Sequence, residues 1–128
     1  HIVVDGTPGA DFDRLGDAAF DGAGAVIYEG GRAGRACLVR GTVETCHDDL
    51  GEPNLIAADE SHNFTMDPDR THVAYRARSG AQWSVIVDGV AGPPADAIWP
   101  PIVSADGTRV GYGYRIGRAL GWRAVPFR

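Results

Sequence analysis

The chain has no lysine; all twelve of its basic residues are arginine. GC-rich coding bias is the simplest source of that absence. The more telling shortage is of positive charge. Seventeen acidic residues outweigh the arginines and leave a net charge of −5. Nucleic-acid binding needs a positive surface to displace counterions from phosphates, so the charge balance argues against that class. Docking on anionic lipid is disfavoured for the same reason. No apolar run approaches the roughly 20 residues of a membrane-spanning helix, and no signal-like segment is present. The chain opens at His1 rather than Met, so it is expected to be processed, trimmed or excerpted, and a leader lost that way stays open. The signatures of common chemistry are missing too. There is no nucleophile elbow, HExxH, P-loop or dinucleotide fingerprint. Cysteine is limited to Cys37 and Cys46, with no CxxC.

Glycine and proline are what the chain has in quantity. Eighteen glycines and eight prolines in 128 residues are too many for a helical bundle and suit short strands joined by tight turns. The length allows one domain with a modest core. Two anchors recur along it. Met66–Tyr75 aligns without gaps on Val103–Tyr112 and on Ala19–Tyr28. Each segment is an apolar residue, a turn of Asp, Pro or Gly type, and an alternation ending in tyrosine, which is a hairpin signature. The second anchor is a glycine followed seven residues later by aspartate and nine later by an aliphatic. Gly6, Asp13 and Leu15 form one set, Gly41, Asp48 and Leu50 the next, and Gly89, Asp96 and Ile98 the third.

The anchors alternate, which predicts a unit of four short antiparallel strands. One strand precedes the turn, one ends near the tyrosine, one ends at the glycine, and one leads to the aspartate. Residues 19–50 and 66–98 are full units. Residues 1–15 supply only third and fourth strands, and 103–128 only the first three. The expected domain is a single all-β repeat array over 1–128, with an insertion at 51–65.

Four-stranded tandem units of this length are the signature of β-propeller blades. The run Val103–Tyr112, with the Trp83–Gly89 run WSVIVDG, resembles a bacterial kind: the propeller repeats of the Tol-system periplasmic protein and related WD-like arrays. The resemblance covers most of the chain except 51–65. It implies a propeller-type fold and leaves function open, because propellers host many unrelated activities. Phe20-Asp21-Gly22 departs from a serine-led turn, and Val125-Pro126-Phe127 replaces the VDG ending. About three blades are too few to close a ring. The chain is therefore expected to be a piece of a longer propeller, an open stack, or one part of a homo-oligomer that completes a ring. Residues 1–15 would lend the missing fourth strand to 103–128, within one chain if the array curls tightly or between chains to build the oligomer.

Asp13, Asp48 and Asp96 recur in register, so they are read as turn caps bonding backbone N–H groups. Tyr28, Tyr75 and Tyr112 are read as core or inter-blade packing, as are Trp83 and Trp122. Trp99, beside Pro100 and Pro101 in a connector between units, is a candidate partner-binding residue. The insertion is acidic and polar. His47, Asp49, Glu52, Asp59, Glu60 and His62 in and beside it are candidate binding residues, since insertions in repeats map to loops and often to binding faces. Imidazoles with carboxylates are also a metal-ligand chemistry, but their spacing matches no ligand pattern, so no metal or cofactor is assigned. A two-residue Gly41-Thr42 turn sets Cys37 opposite Cys46 and allows a cross-strand disulfide, whereas an Arg40-Gly41 turn offsets them and leaves free thiols. A disulfide, with the resemblance to a periplasmic protein, favours a periplasmic or exported location.

The expected function is a non-catalytic binding or scaffold module that presents propeller loops to a protein partner. The alternatives are an accessory propeller domain of a larger hydrolase or peptidase, and a metal-binding enzyme built on the acidic loop.

Overall fold

A computed structural model describes residues 3–4, 7–8, 12–50 and 64–127. Every regular element among them is a strand. None of them forms a helix long and apolar enough to cross a membrane. The first sheet is β1 (Val3–Val4) with β2 (Thr7–Pro8), a two-stranded antiparallel pair. Three larger antiparallel sheets follow. Sheet I runs in sequence order through β3 (Arg14–Phe20), β4 (Val26–Arg32), β5 (Arg35–Arg40) and β6 (Val43–His47). Sheet II repeats that order with β7 (Thr65–Met66), β8 (Val73–Ser79), β9 (Gln82–Val87) and β10 (Val90–Ala91). In sheet III, β11 (Ala97–Ile98) and β12 (Ile102–Val103) both pair with β13 (Arg109–Ile116), whose other edge pairs with β14 (Ala119–Pro126). β11 and β12 are thus one broken first strand. Among the described residues the sheets do not close into a ring.

Side-chain alternation explains how they stack. In a strand, successive residues point to opposite faces. On β8, Val73, Tyr75 and Ala77 pack into a cluster with Ile27 and Leu38 of sheet I. Ala74 between them joins Val85, Val87, Val110 and Tyr112 in a second cluster with sheet III. Sheet II is therefore buried on both faces, which is why its central strands read as continuous apolar runs rather than as an alternation. Tyr28, Tyr75 and Tyr112 hold equivalent cross-strand positions, opposite Val39, Ile86 and Arg123. All three are buried, as the repeat predicts.

The recurring aspartates are pins. Asp13 Oδ2 accepts the Ala33 N–H at 3.1 Å, Asp48 Oδ2 the Gly80 N–H at 2.7 Å, and Asp96 Oδ2 the Gly117 N–H at 2.6 Å. Each acceptor reaches the tight turn between the second and third strands of the sheet that follows it. Their own N–H groups donate to Gly31, Arg78 and Arg115 on the second strands of those sheets. The aspartate therefore opens the next sheet's first strand instead of ending a fourth strand, and the unit boundaries move accordingly. Sheet I differs in a second respect. Phe20 pairs with Val26, whereas Met66 pairs with Val73 and Val103 with Val110. The first hairpin is one residue shorter than the other two, so Phe20 rather than Ala19 takes the place of Met66.

Arg40 pairs with Val43, so the turn is Gly41-Thr42 and Cys37 faces Cys46. The two form a disulfide. The bond closes a segment of sequence separation 9, for which loop-closure entropy is worth roughly 2–3 kcal/mol.

Two stability measurements check this architecture by denaturant unfolding. Replacing both cysteines by serine is expected to cost about 2–3 kcal/mol. Ile27 is fully buried between sheets I and II, and Ile27→Ala is expected to cost about 2–5 kcal/mol. A loss below about 1 kcal/mol at Ile27 would contradict the stacked arrangement.

Candidate functional site

The first strand of each sheet is interrupted at the same place. Between the pairs Leu15↔Gly30 and Ala18↔Tyr28, β3 advances three residues while β4 retreats two. Between Ile98↔Tyr114 and Ile102↔Gly111, the first strand of sheet III advances four against three. Each offset is one surplus residue, a β-bulge. In sheet II, between Asp49↔Arg78 and Thr65↔Ala74, the first strand advances sixteen against four. The surplus there is twelve. Asp49 and Thr65, on either side of the insertion, thus pair with the same strand, so the insertion falls within the first strand of sheet II and not between units.

Its two ends are anchored. Leu50 and Phe64 are both buried in the cluster that joins sheets I and II. Immediately before Leu50, Arg78 N donates to Asp49 O at 2.8 Å and Asp48 N donates to Arg78 O at 3.0 Å. On this side of the stack His47 Nε2 and the Tyr75 hydroxyl lie 3.0 Å apart and share a hydrogen bond, with the rings edge-on. Burial pulls the His47 imidazole below its ordinary value, and nearby Arg35 lowers it further while Asp48 opposes the shift. The ring is neutral at pH 7. Burial pushes the Tyr75 phenol up to about 12. The Asp48 carboxyl is lowered, chiefly by the Gly80 N–H.

Of the residues singled out from sequence, His47 and Asp49 stand together at the entry to the excursion. Glu52, Asp59, Glu60 and His62 lie outside the described residues. Trp99 is on a different sheet and not in a connector: its N–H donates to Gly113 O at 3.0 Å, which continues β11 up to the bulge at Pro100-Pro101. Proline at a bulge is tolerated because no ladder donor is needed there. Among the described residues, the grouping with metal-ligand character is Cys37, Glu44 and Cys46. Two of its three sulfur and oxygen donors are joined as the disulfide, so that trio has no thiolate to offer.

One surface was misread from the sequence. Trp122, expected to pack, is 62% exposed, beside Leu120 at 74%, with Trp99 and Ile102 also exposed. They lie on the face of sheet III turned away from sheet II. The signal was present in β13, where Val110, Tyr112 and Tyr114 alternate with Gly111 and Gly113. Between Val110 and Tyr114, one face of that strand carries bulky side chains and the other carries none. A Cβ at Gly111 would meet the Trp122 ring at 2.6 Å, and one at Gly113 would meet Trp99 at 3.5 Å. The glycines leave room for the indole rings to approach the strand.

Comparison of the chain with protein-family models, with curated proteins and with solved structures finds no match.

The His47–Tyr75 pair sets a pH dependence. The folded His47 value lies below the ordinary 6.5, so the unfolded chain takes up the proton first. Stability is then lost as pH falls from 6.5 through the folded value. Tyr75 acts at the other end: its folded value is above the ordinary 10.0, so stability is lost as pH rises from 10 towards 12. Melting temperature against pH is expected to slope downward below pH 6.5, and His47→Gln is expected to flatten that limb. An unchanged slope in the variant would remove His47 as its source.

Proposed function

We propose that the chain is a propeller-type array of blades serving as a non-catalytic binding module, with the segment 51–63 as its recognition element. The observation that carries this reading is the position of that segment. It replaces a one-residue bulge in an otherwise repeated strand, and both its ends are seated in the core at Leu50 and Phe64. A rigid stack that holds the two ends of one long, acidic, His-containing excursion is the arrangement by which repeat scaffolds present a loop to a partner. The stacking of four-stranded antiparallel sheets in sequence order, each pinned to the next by an aspartate, supports the propeller-type reading. The Cys37–Cys46 disulfide supports an exported protein, because disulfides persist in oxidising compartments. A partner surface of basic or metal-bearing character would match Glu52, Asp59, Glu60 and His62.

Replacing 51–63 with Gly-Gly leaves three residues between Leu50 and Thr65, the number found between Leu15 and Ala19 and between Ile98 and Ile102. The shortened chain is expected to fold, with stability unchanged or raised by about 1 kcal/mol from the shorter closure. Affinity capture and crosslinking from the native source, with both proteins as bait, read the function. A specific partner recovered by the full chain and lost with the shortened one supports the proposal. Equal recovery by both removes 51–63 as the recognition element.

A further inference from the structure

Sulfur stands at a position in sheet I where the repeat does not call for it. With the tyrosines in register, Gly30↔Cys37 corresponds to Ala77↔Ser84 in sheet II and to Tyr114↔Gly121 in sheet III. Cys37 faces Cys46 across β5 and β6. Glu44 precedes Cys46 by two residues on β6, so its side chain leaves the sheet on the same face. The two sulfurs and a Glu44 carboxylate oxygen all lie within 4.8 Å of one another, with Cys37 buried, Cys46 half-buried and Glu44 exposed.

One contact in this group has no explanation in the disulfide. Cys46 Sγ lies 3.4 Å from Glu44 Oε1. A disulfide sulfur carries no hydrogen, so in the oxidised chain no proton joins the two atoms. A shared metal ion accounts for their spacing. With zinc–sulfur bonds of about 2.3 Å and zinc–oxygen bonds of about 2.0–2.2 Å, a tetrahedral site sets sulfur and oxygen about 3.5 Å apart and two sulfurs about 3.8 Å apart. Directly opposed strand residues have Cβ atoms about 4.5–5.5 Å apart, so the two thiolates can take up that separation once the bond between them is opened. Arg32 of β4 completes the set: its Nη2 is 2.9 Å from the same Glu44 oxygen. Two thiolates and a carboxylate exceed the charge of a divalent ion by one, and the guanidinium balances it. Arg32 also fixes the carboxylate's orientation, as the hydrogen-bond partner of a metal ligand does.

We propose that the reduced chain holds a thiophilic divalent cation of the zinc class between Cys37, Cys46 and Glu44, with water in the fourth position on the Glu44 side. The exchange balances. A dithiol reductant supplies two electrons and two protons, opens the S–S bond to two thiols and leaves as its own disulfide. The cation then displaces both thiol protons to solvent, because the thiolate is the ligand. Either state ties β5 to β6. The hairpin is cross-linked by the disulfide under oxidising conditions and by the metal under reducing ones. The site uses no residue of segment 51–63, so it stands or falls independently of the binding reading above.

Anaerobic calorimetric titration with zinc chloride tests it, on the oxidised chain and on the chain reduced by a dithiol that is removed beforehand. The reduced chain is expected to bind a single zinc with a dissociation constant of about 1 μM or tighter, with release of protons. Its melting temperature should rise with zinc concentration. The oxidised chain is expected to bind at least about a hundredfold more weakly, because it has no thiolate. The Gly-Gly replacement of 51–63 removes the imidazole and carboxylates of that segment and is expected to bind as the full chain does. Cobalt chloride reports the ligands: thiolate-to-cobalt charge transfer should appear in the near ultraviolet after reduction and not before. Glu44→Gln lies at an exposed position, so it is expected to keep the circular dichroism of the full chain while weakening zinc at least about tenfold. Equal zinc binding by the oxidised and reduced chains overturns the proposal. So does a reduced chain that binds no zinc, an affinity unchanged in Glu44→Gln, or a loss of strand signal on reduction that zinc does not restore.

Discussion

Sheet II can exist only between two other sheets. Its β8 and β9 carry apolar side chains on both faces, and a sheet with two apolar faces needs two partners to remove them from water. Sheets I and III supply them, and much of the rest follows. The register of every sheet relative to its neighbour is held where the tyrosines sit. Tyr75 seals the interface between sheets I and II, and Tyr112 that between sheets II and III. Because side-chain direction alternates with period two, a slip of one residue in β8 would exchange the two clusters and strand Arg76 and Arg78 in the core.

The aspartate pins settle direction where apolar packing cannot. Burial is indifferent to which end of a strand meets which turn, but a carboxylate bonded to one backbone N–H is not. Asp48 and Asp96 each tie the chain entering a sheet to the far turn of that same sheet. That links consecutive sheets in order and sets the place at which the first strand begins. It also sets where that strand is interrupted, so the long excursion in sheet II and the Pro100-Pro101 bulge in sheet III share one address. Leu50 and Phe64 keep the core between sheets I and II continuous on either side of residues 51–63.

The same repeat accounts for the exposed end. The outer face of sheet III carries the same alternation as the faces that sheets I and II bury, and its apolar side chains are exposed among the described residues. Where sheet II pairs Arg76 with Val85, sheet III pairs Gly113 with Trp122, which puts an indole in place of an aliphatic side chain on that face.

The sequence alone determined the all-β class, the four-stranded unit, the tyrosine and aspartate repeats, and the Cys37–Cys46 pairing allowed by a Gly41-Thr42 turn. These are local or periodic properties, written in spacing and turn chemistry and needing no knowledge of what lies across a sheet. It also marked the insertion, because a repeat makes a surplus visible. Tertiary structure decided what spacing cannot carry. The aspartate belongs to the sheet after it, because its hydrogen-bond partner is some twenty to thirty residues away. Trp99 sits inside a strand rather than a connector, because a bulge restores pairing after two prolines. Trp83 and Trp122 hold neighbouring positions on third strands and read alike in sequence. One is packed beside Ala95 and the other is exposed, since burial depends on what packs against the sheet's face, and no residue within a strand records that.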